Sequence, residues 1–180
     1  MMREEIFKEC SKIWDKYNLE EKVRKHCIAV SNLAEKIGVA TKADVELIIT
    51  GSLLHDIGRA VTHDPFLHFI ESGKILRNER FDEGVVRIAE RHFSCGISKE
   101  EAEKFGLPPG NYIPETMEEK IVSFADNLVF GARAGNFEEF LRRLDEIALN
   151  NRDHAWFVKR TKERALRMKE EVEKISGLKF

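Results

Sequence analysis

The chain has 180 residues, with 30 Lys and Arg against 32 Asp and Glu, for a formal charge of −2. That length suits one domain whose core is large enough to need no disulfide or metal staples. With 42% hydrophobic and 34% charged residues it is neither disordered nor fibrous. The near-neutral balance excludes a protein whose main work is gripping nucleic-acid phosphates, though not one that holds a small phosphorylated ligand. Cys10, Cys27 and Cys95 are odd in number and far apart, which disfavours a disulfide framework or cysteine zinc site and fits a reducing compartment. The start, MMREEIFKEC, lacks the apolar stretch of a signal peptide, and no apolar run approaches the roughly 20 residues that span a bilayer. A cytoplasmic protein without a membrane partner is expected.

Taken in chain order, the sequence reads as helix nearly throughout. Apolar residues recur at spacings of three and four, while glycine and proline cluster between these stretches. A first helix is predicted over 3–17, a second over 20–37 that stops at Gly38, and a third over 42–57 that stops at Gly58. Asp64 followed by Pro65 is a good helix start, since aspartate caps free amides and proline suits the first helical position. That helix is expected to last to Asn78, and Asp82 to cap the next through His92. The connection 94–114 holds a short helix at 98–105 and the breaker Leu-Pro-Pro-Gly at 107–110. Thr116 starts a helix through Gly131, and two more are predicted over 136–149 and 152–176. No period-2 alternation, linker or repeat stands out. The expectation is one all-α domain over 1–180, with its motif region at 20–132 and C-terminal helices at 136–176.

Writing out the helical stripes exposes the chemistry. His26 completes the apolar series Val23, Val30, Leu33 and Ile37, and Asp56 ends the series Val45, Ile49 and Ser52 beside His55. His92 shares a face with Val85, Ile88 and Ala89, while Val122 and Val129 bracket Asp126. A lone His26 would suit a core position, and His55–Asp56 alone a helix-end cap. Aspartate, however, is almost never buried unless paired or bound to a cation. Imidazoles and carboxylates converging from separate helices are the donor set of a borderline divalent metal.

His26, then His55–Asp56 followed by Ile57–Gly58, then Asp126 resembles the H…HD…D pattern of the HD-domain superfamily of metal-dependent phosphohydrolases. Leu53-Leu54-His55-Asp56-Ile57-Gly58 reads as the HDIG subtype, and Ala125-Asp126-Asn127-Leu128 is similar to its closing aspartate motif. Gly-Leu-Pro-Pro-Gly-Asn-Tyr-Ile-Pro-Glu resembles small stand-alone archaeal HDIG proteins. The resemblance implies an all-helical bundle in which His26, His55, Asp56 and Asp126 ligate a divalent metal. Some family branches carry further histidines that bind a second ion, with the aspartate of the HD pair bridging; His68 and His92 lie where these would fall. One or two ions are therefore expected, and the N/O donor mix admits Mn, Fe, Co, Ni, Zn or Mg.

The resemblance further implies hydrolysis of a phosphate monoester, diester or anhydride, the substrate being a nucleotide or similar small phosphate. A bound metal lowers the pKa of its water and neutralises phosphoryl charge. Asp56 and Arg59 are the candidate catalytic residues; Arg59 stands where many relatives have lysine and can stabilise charge without serving as acid or base. Arg59, His63 and Lys120 are candidate substrate contacts, with His63 also readable as a loop histidine and Lys120 as a solvated flank. A non-catalytic nucleotide-binding module using the same pocket is the alternative. Phe105, Leu107, Tyr112 and Ile113 in the 94–114 connection would pack over a nucleobase or tuck the loop onto the bundle. The last helix has an apolar stripe, Ala155, Val158, Ala165, Met168 and Val172, suited to the bundle or to a second subunit in a homodimer.

Overall fold

The computed structural model describes residues 2–180. Nine α-helices account for most of them: α1 (Arg3–Lys16), α2 (Glu21–Thr41), α3 (Val45–Leu54), α4 (His68–Asn78), α5 (Glu83–Arg91), α6 (Lys99–Lys104), α7 (Met117–Leu128), α8 (Phe137–Asn150) and α9 (Ala155–Ser176). Short 3-10 turns cover Ile57–Ala60, Phe93–Cys95 and Arg152–His154. An antiparallel hairpin of two two-residue strands, β1 (Val129–Phe130) and β2 (Arg133–Ala134), follows α7. The chain is thus all-α in architecture, as its patterning implies.

Helix starts follow from capping chemistry. Asp44, Thr116 and Asn136 accept from the amides of Leu47, Glu119 and Glu139, and Ser98 and Glu101 form a reciprocal capping box on α6. Asp82 precedes α5 without a side-chain cap bond. Asp64 caps a turn rather than α4 itself: its carboxylate accepts from the Phe66 amide at 2.8 Å, and the helix begins at His68.

Two glycines act differently from the helix stops expected of them. Helix α2 runs through Gly38 to Thr41 and closes on Lys42 at φ 58. Gly38 instead admits α3, because a Cβ there would lie 2.7 Å from Ile48 Cδ1. Gly58 lies inside a 3-10 turn, α3 having ended at Leu54. Helix α7 likewise stops short of Gly131, which at φ +61 forms the hairpin turn.

Two large apolar clusters bind the helices. One joins α2, α3, α5, α7, α8 and α9 through residues such as Ile37, Ile48, Phe124 and Phe140. The other seats α1 on α2–α5 through Trp14, Leu54 and Leu76, with Trp14 Nε1 donating to the Leu53 carbonyl at 2.9 Å. A third cluster fixes the 94–114 connection: Ile97 and Tyr112 pair as a β-bridge and pack with Phe69, Leu107 and Phe157. Phe105 stacks on Trp156, so this loop tucks onto the bundle. Val158, Ala165, Met168 and Val172 are buried in the bundle, which uses most of the apolar stripe of α9. No helix among the described residues is long and apolar enough to cross a membrane.

Candidate metal centre

Six side chains converge where α2, α3, α4, α5 and α7 meet. His26 comes from the second turn of α2, and Asp126 from the last turn of α7. His55 and Asp56 follow the end of α3, His68 is the first residue of α4, and His92 follows the end of α5. His55, Asp56, His68 and His92 are buried, at 0–3% exposure.

Backbone carbonyls orient three of the imidazoles. His55 Nδ1 lies 2.7 Å from the Ser52 carbonyl, and His92 Nδ1 2.7 Å from that of Ala89. His26 Nδ1 meets the Gly131 carbonyl, also at 2.7 Å. A carbonyl can only accept, so each Nδ1 carries a proton and each Nε2 is the ring atom that faces inward. This second-layer bonding is what metal-binding histidines require.

The inward atoms crowd together. His26 Nε2 is 2.8 Å and His55 Nε2 3.4 Å from Asp126 Oδ1. Asp56 Oδ1 lies 3.2 Å from His68 Nε2 and 3.4 Å from His92 Nε2, and these two nitrogens are 3.1 Å apart. His55 Nε2, Asp56 Oδ1 and His68 Nδ1 are buried with no properly oriented hydrogen-bond partner. Such orphaned atoms are costly unless something polar satisfies them. His26, His55 and Asp126 form one set of potential donors, and His55, Asp56 and His92 an overlapping second. Nitrogen and carboxylate oxygen donors with paired outer bonds fit a divalent transition ion.

Charge balance leads to the same reading. Burial opposes ionisation of Asp56, but His55, His68 and His92 hold its carboxyl well below the usual range. Burial likewise opposes the charge on Asp126, which His26 and His55 hold well down. The His55 imidazole is buried too, yet Asp56 and neighbouring groups raise it well above the ordinary value. His26 is raised against its own burial by Asp126, whereas burial lowers His92. Without metal the cluster holds two anions by sharing protons among imidazoles. A divalent cation can take over that neutralising role.

Arg59 borders the cluster, its Nε donating to Asp56 Oδ2 at 2.7 Å. It also lines a cleft of ≈570 Å³ that opens from His26, His68, His92 and Asp126. The structure does not bring the other two predicted substrate contacts to this cleft. His63 is exposed and pairs with Glu20 at 2.9 Å, because the chain after Gly58 turns outward. Lys120 points from α7 toward α9, where Glu171 holds its ammonium at 2.8 Å. The far wall is formed by residues that no motif singles out: Phe66 and Phe93 from the connections, Arg143 from α8, and Asn151, His154 and Phe157 beyond it. The periodicity of α8 held a signal, since Phe140, Arg143, Leu144 and Ile147 share one face. A groove of ≈670 Å³ between α1, α3 and α5 contains no histidine and lies apart from this chemistry.

Fold and cluster together define a helical domain with a histidine–aspartate centre that could hold a metal ion. The family model described as "HD domain" matches residues 23–131, and the chain belongs to that family. An uncharacterized protein of Methanocaldococcus jannaschii is 46% identical over 131 residues, 70% of this chain and 77% of that protein. A tRNA (cytidine(56)-2'-O)-methyltransferase of Thermoplasma volcanium is 45% identical over 122 residues, 68% of this chain but only 36% of the enzyme. The crystal structure of the L. monocytogenes phosphodiesterase PgpH HD domain in complex with cyclic-di-AMP shares the fold. Its TM-score is 0.54 at 18% identity, over 95% of this chain and 98% of that one.

Proposed function

We propose that the chain is a metal-dependent phosphohydrolase acting on a phosphate ester or anhydride of a nucleotide or similar small molecule. The observation that carries this reading is a pair of buried, unpartnered atoms, His55 Nε2 and Asp56 Oδ1, in a cluster whose His26, His68, His92 and Asp126 line an open cleft. His26, His55, Asp56 and Asp126 would hold one divalent ion, and His68 and His92 with Asp56 would hold a second. The metal would supply Lewis acidity toward a phosphoryl group and its nucleophile. The protein's part is orientation and charge. The Ser52, Ala89 and Gly131 carbonyls fix three imidazoles, and Arg59 steadies Asp56 while turning the rest of its guanidinium toward the cleft. Arginine stays protonated, so Arg59 neutralises phosphoryl charge and moves no proton. The volume of the cleft lies within the ordinary range for small-ligand sites.

Asp56→Ala should lose bound metal and all phosphatase and phosphodiesterase activity while keeping its helical circular dichroism. Metal analysis with a nucleotide and phosphodiester panel under several divalent ions tests this. Unchanged activity and metal content in the variant would overturn the proposal. One observation favours a second reading, a nucleotide-binding module without turnover. The matching segment makes up only 36% of a relative named for methyl transfer. Nucleotide binding by thermal shift, with no hydrolysis under any divalent ion, would select that reading.

A further inference from the structure

Helix α8 lies beyond the family match, which ends at residue 131, yet it forms one wall of the cleft. Its cleft-facing stripe is apolar at Phe140, Leu144 and Ile147 and carries a single charge, Arg143. That guanidinium is held in place. Nη2 donates to the Asn127 carbonyl at 3.1 Å, and the group lies 4.6 Å from the ring centre of Phe130 and 5.5 Å from that of Phe140. Phe130 belongs to the hairpin that also presents the Gly131 carbonyl to His26. The same six-residue hairpin, 129–134, thus orients a histidine of the cluster and the platform under Arg143.

No ion pair within reach uses this charge among the described residues. The carboxylate that Arg143 senses is Asp126, which is engaged by His26 and His55. Arg59, at the cluster, is by contrast already tied to Asp56. A half-buried guanidinium with free donors, stacked on rings and aimed into a cleft, is suited to phosphate oxygens. Phe66, Phe93, His154 and Phe157 line the same cleft, with Phe66 ring contacts of 5.4–5.9 Å to the other three. They offer an aromatic surface on which a base can stack.

We infer that Arg143 binds a second phosphate of the substrate, one not positioned at the histidine–aspartate cluster, so that the preferred ligand is a nucleotide carrying at least two phosphates. This rests on the proposed phosphohydrolase site but concerns recognition rather than chemistry. A single phosphate at the cluster leaves Arg143 without an anion. A second phosphate satisfies it while the nucleoside reaches the aromatic wall. Burial already pulls the Arg143 pKa down, a cost that a bound anion reverses.

The test is equilibrium binding by calorimetry to Mn²⁺-loaded protein, wild type, Arg143→Gln and Arg143→Lys. The probes are adenosine 5′-(α,β-methylene)diphosphate, adenosine monophosphate and methylenediphosphonate, none of which requires turnover. Wild type should prefer the diphosphate analogue to the monophosphate. Arg143→Gln should weaken the diphosphate analogue about 10- to 100-fold, the range of a charged hydrogen bond, and collapse the preference. Arg143→Lys should restore part of it. A purely structural role for Arg143 would weaken all probes alike, and that result overturns the inference, as does an unchanged preference in Arg143→Gln. Methylenediphosphonate binding as tightly as the nucleotide analogue would overturn the nucleoside part. Failure of the hydrolase reading shows separately, as absence of turnover of adenosine diphosphate and of bis(p-nitrophenyl) phosphate by the wild type.

Discussion

Replacing Gly58 by alanine probes how the loop after His55–Asp56 is locked beneath α4. A Cβ at this position would stand 2.0 Å from the His68 carbonyl oxygen and 2.5 Å from the Ser72 amide nitrogen. Both are backbone atoms, and the Gly58 amide already donates to Ser72 Oγ at 2.8 Å, so no side-chain rotation relieves the clash. The first turn of α4 must move outward, carrying His68 with it. Overpacking costs about 1–3 kcal/mol, and a backbone-on-backbone clash belongs at the upper end. For a chain of this size each kcal/mol shifts Tm by about 2–4 °C, which gives a fall of about 6–12 °C. Thermal unfolding followed by circular dichroism measures that fall, and calorimetric Mn²⁺ titration tests whether displacing His68 also weakens metal binding. Wild-type Tm and metal affinity in Gly58→Ala would show that the close approach does not constrain α4.

Two further outcomes follow from the charges. His55 and His26 have raised pKa values when folded, so their contribution is complete below the unfolded value of 6.5 and is lost as pH rises through the folded values. His92 is lowered and acts on the other side, withdrawing stability as pH falls below 6.5. Metal-free protein should therefore lose denaturant stability from pH 6.5 upward, and saturating metal should reverse that trend; a flat metal-free profile would contradict the assignment of these shifts. Lys120→Met should leave kcat/KM unchanged, since the ammonium is engaged with Glu171 away from the cleft, and should cost no more than about 1 kcal/mol, as surface pairs do. A large rise in KM would return Lys120 to the substrate site.

The donors that could be read from sequence are those whose polarity conflicts with an apolar helical stripe. Asp126 between Val122 and Val129, and His92 after Ile88 and Ala89, declare themselves because burial of such groups needs a partner. His63 and Lys120 lie close along the chain to motif residues, and such proximity does not fix direction: one faces Glu20 and the other Glu171. The hairpin escaped notice because two residues per strand are too few to establish alternation. Arg143 was hidden for a different reason. Beside the exposed Arg142 in a charged helix it looks like part of a solvated face, and only packing of α8 against the hairpin shows that it faces inward.

The directions of the helices add something that no single side chain supplies. His55 and His92 are the C-terminal caps of α3 and α5, so both helices aim their carbonyl ends toward the cluster. Each such end carries about half a negative charge, worth roughly 0.3–1 kcal/mol or more toward a nearby cation where water is scarce. Helix α4 opens at His68 and presents its amide end on the Asp56 side, where the partial charge has the opposite sign and suits a carboxylate. The main chain therefore brings helix ends of both signs to the cluster, carbonyl ends at His55 and His92 and an amide end at His68. Those partial charges lie in the course of the backbone, so they persist whatever side chains the cluster carries.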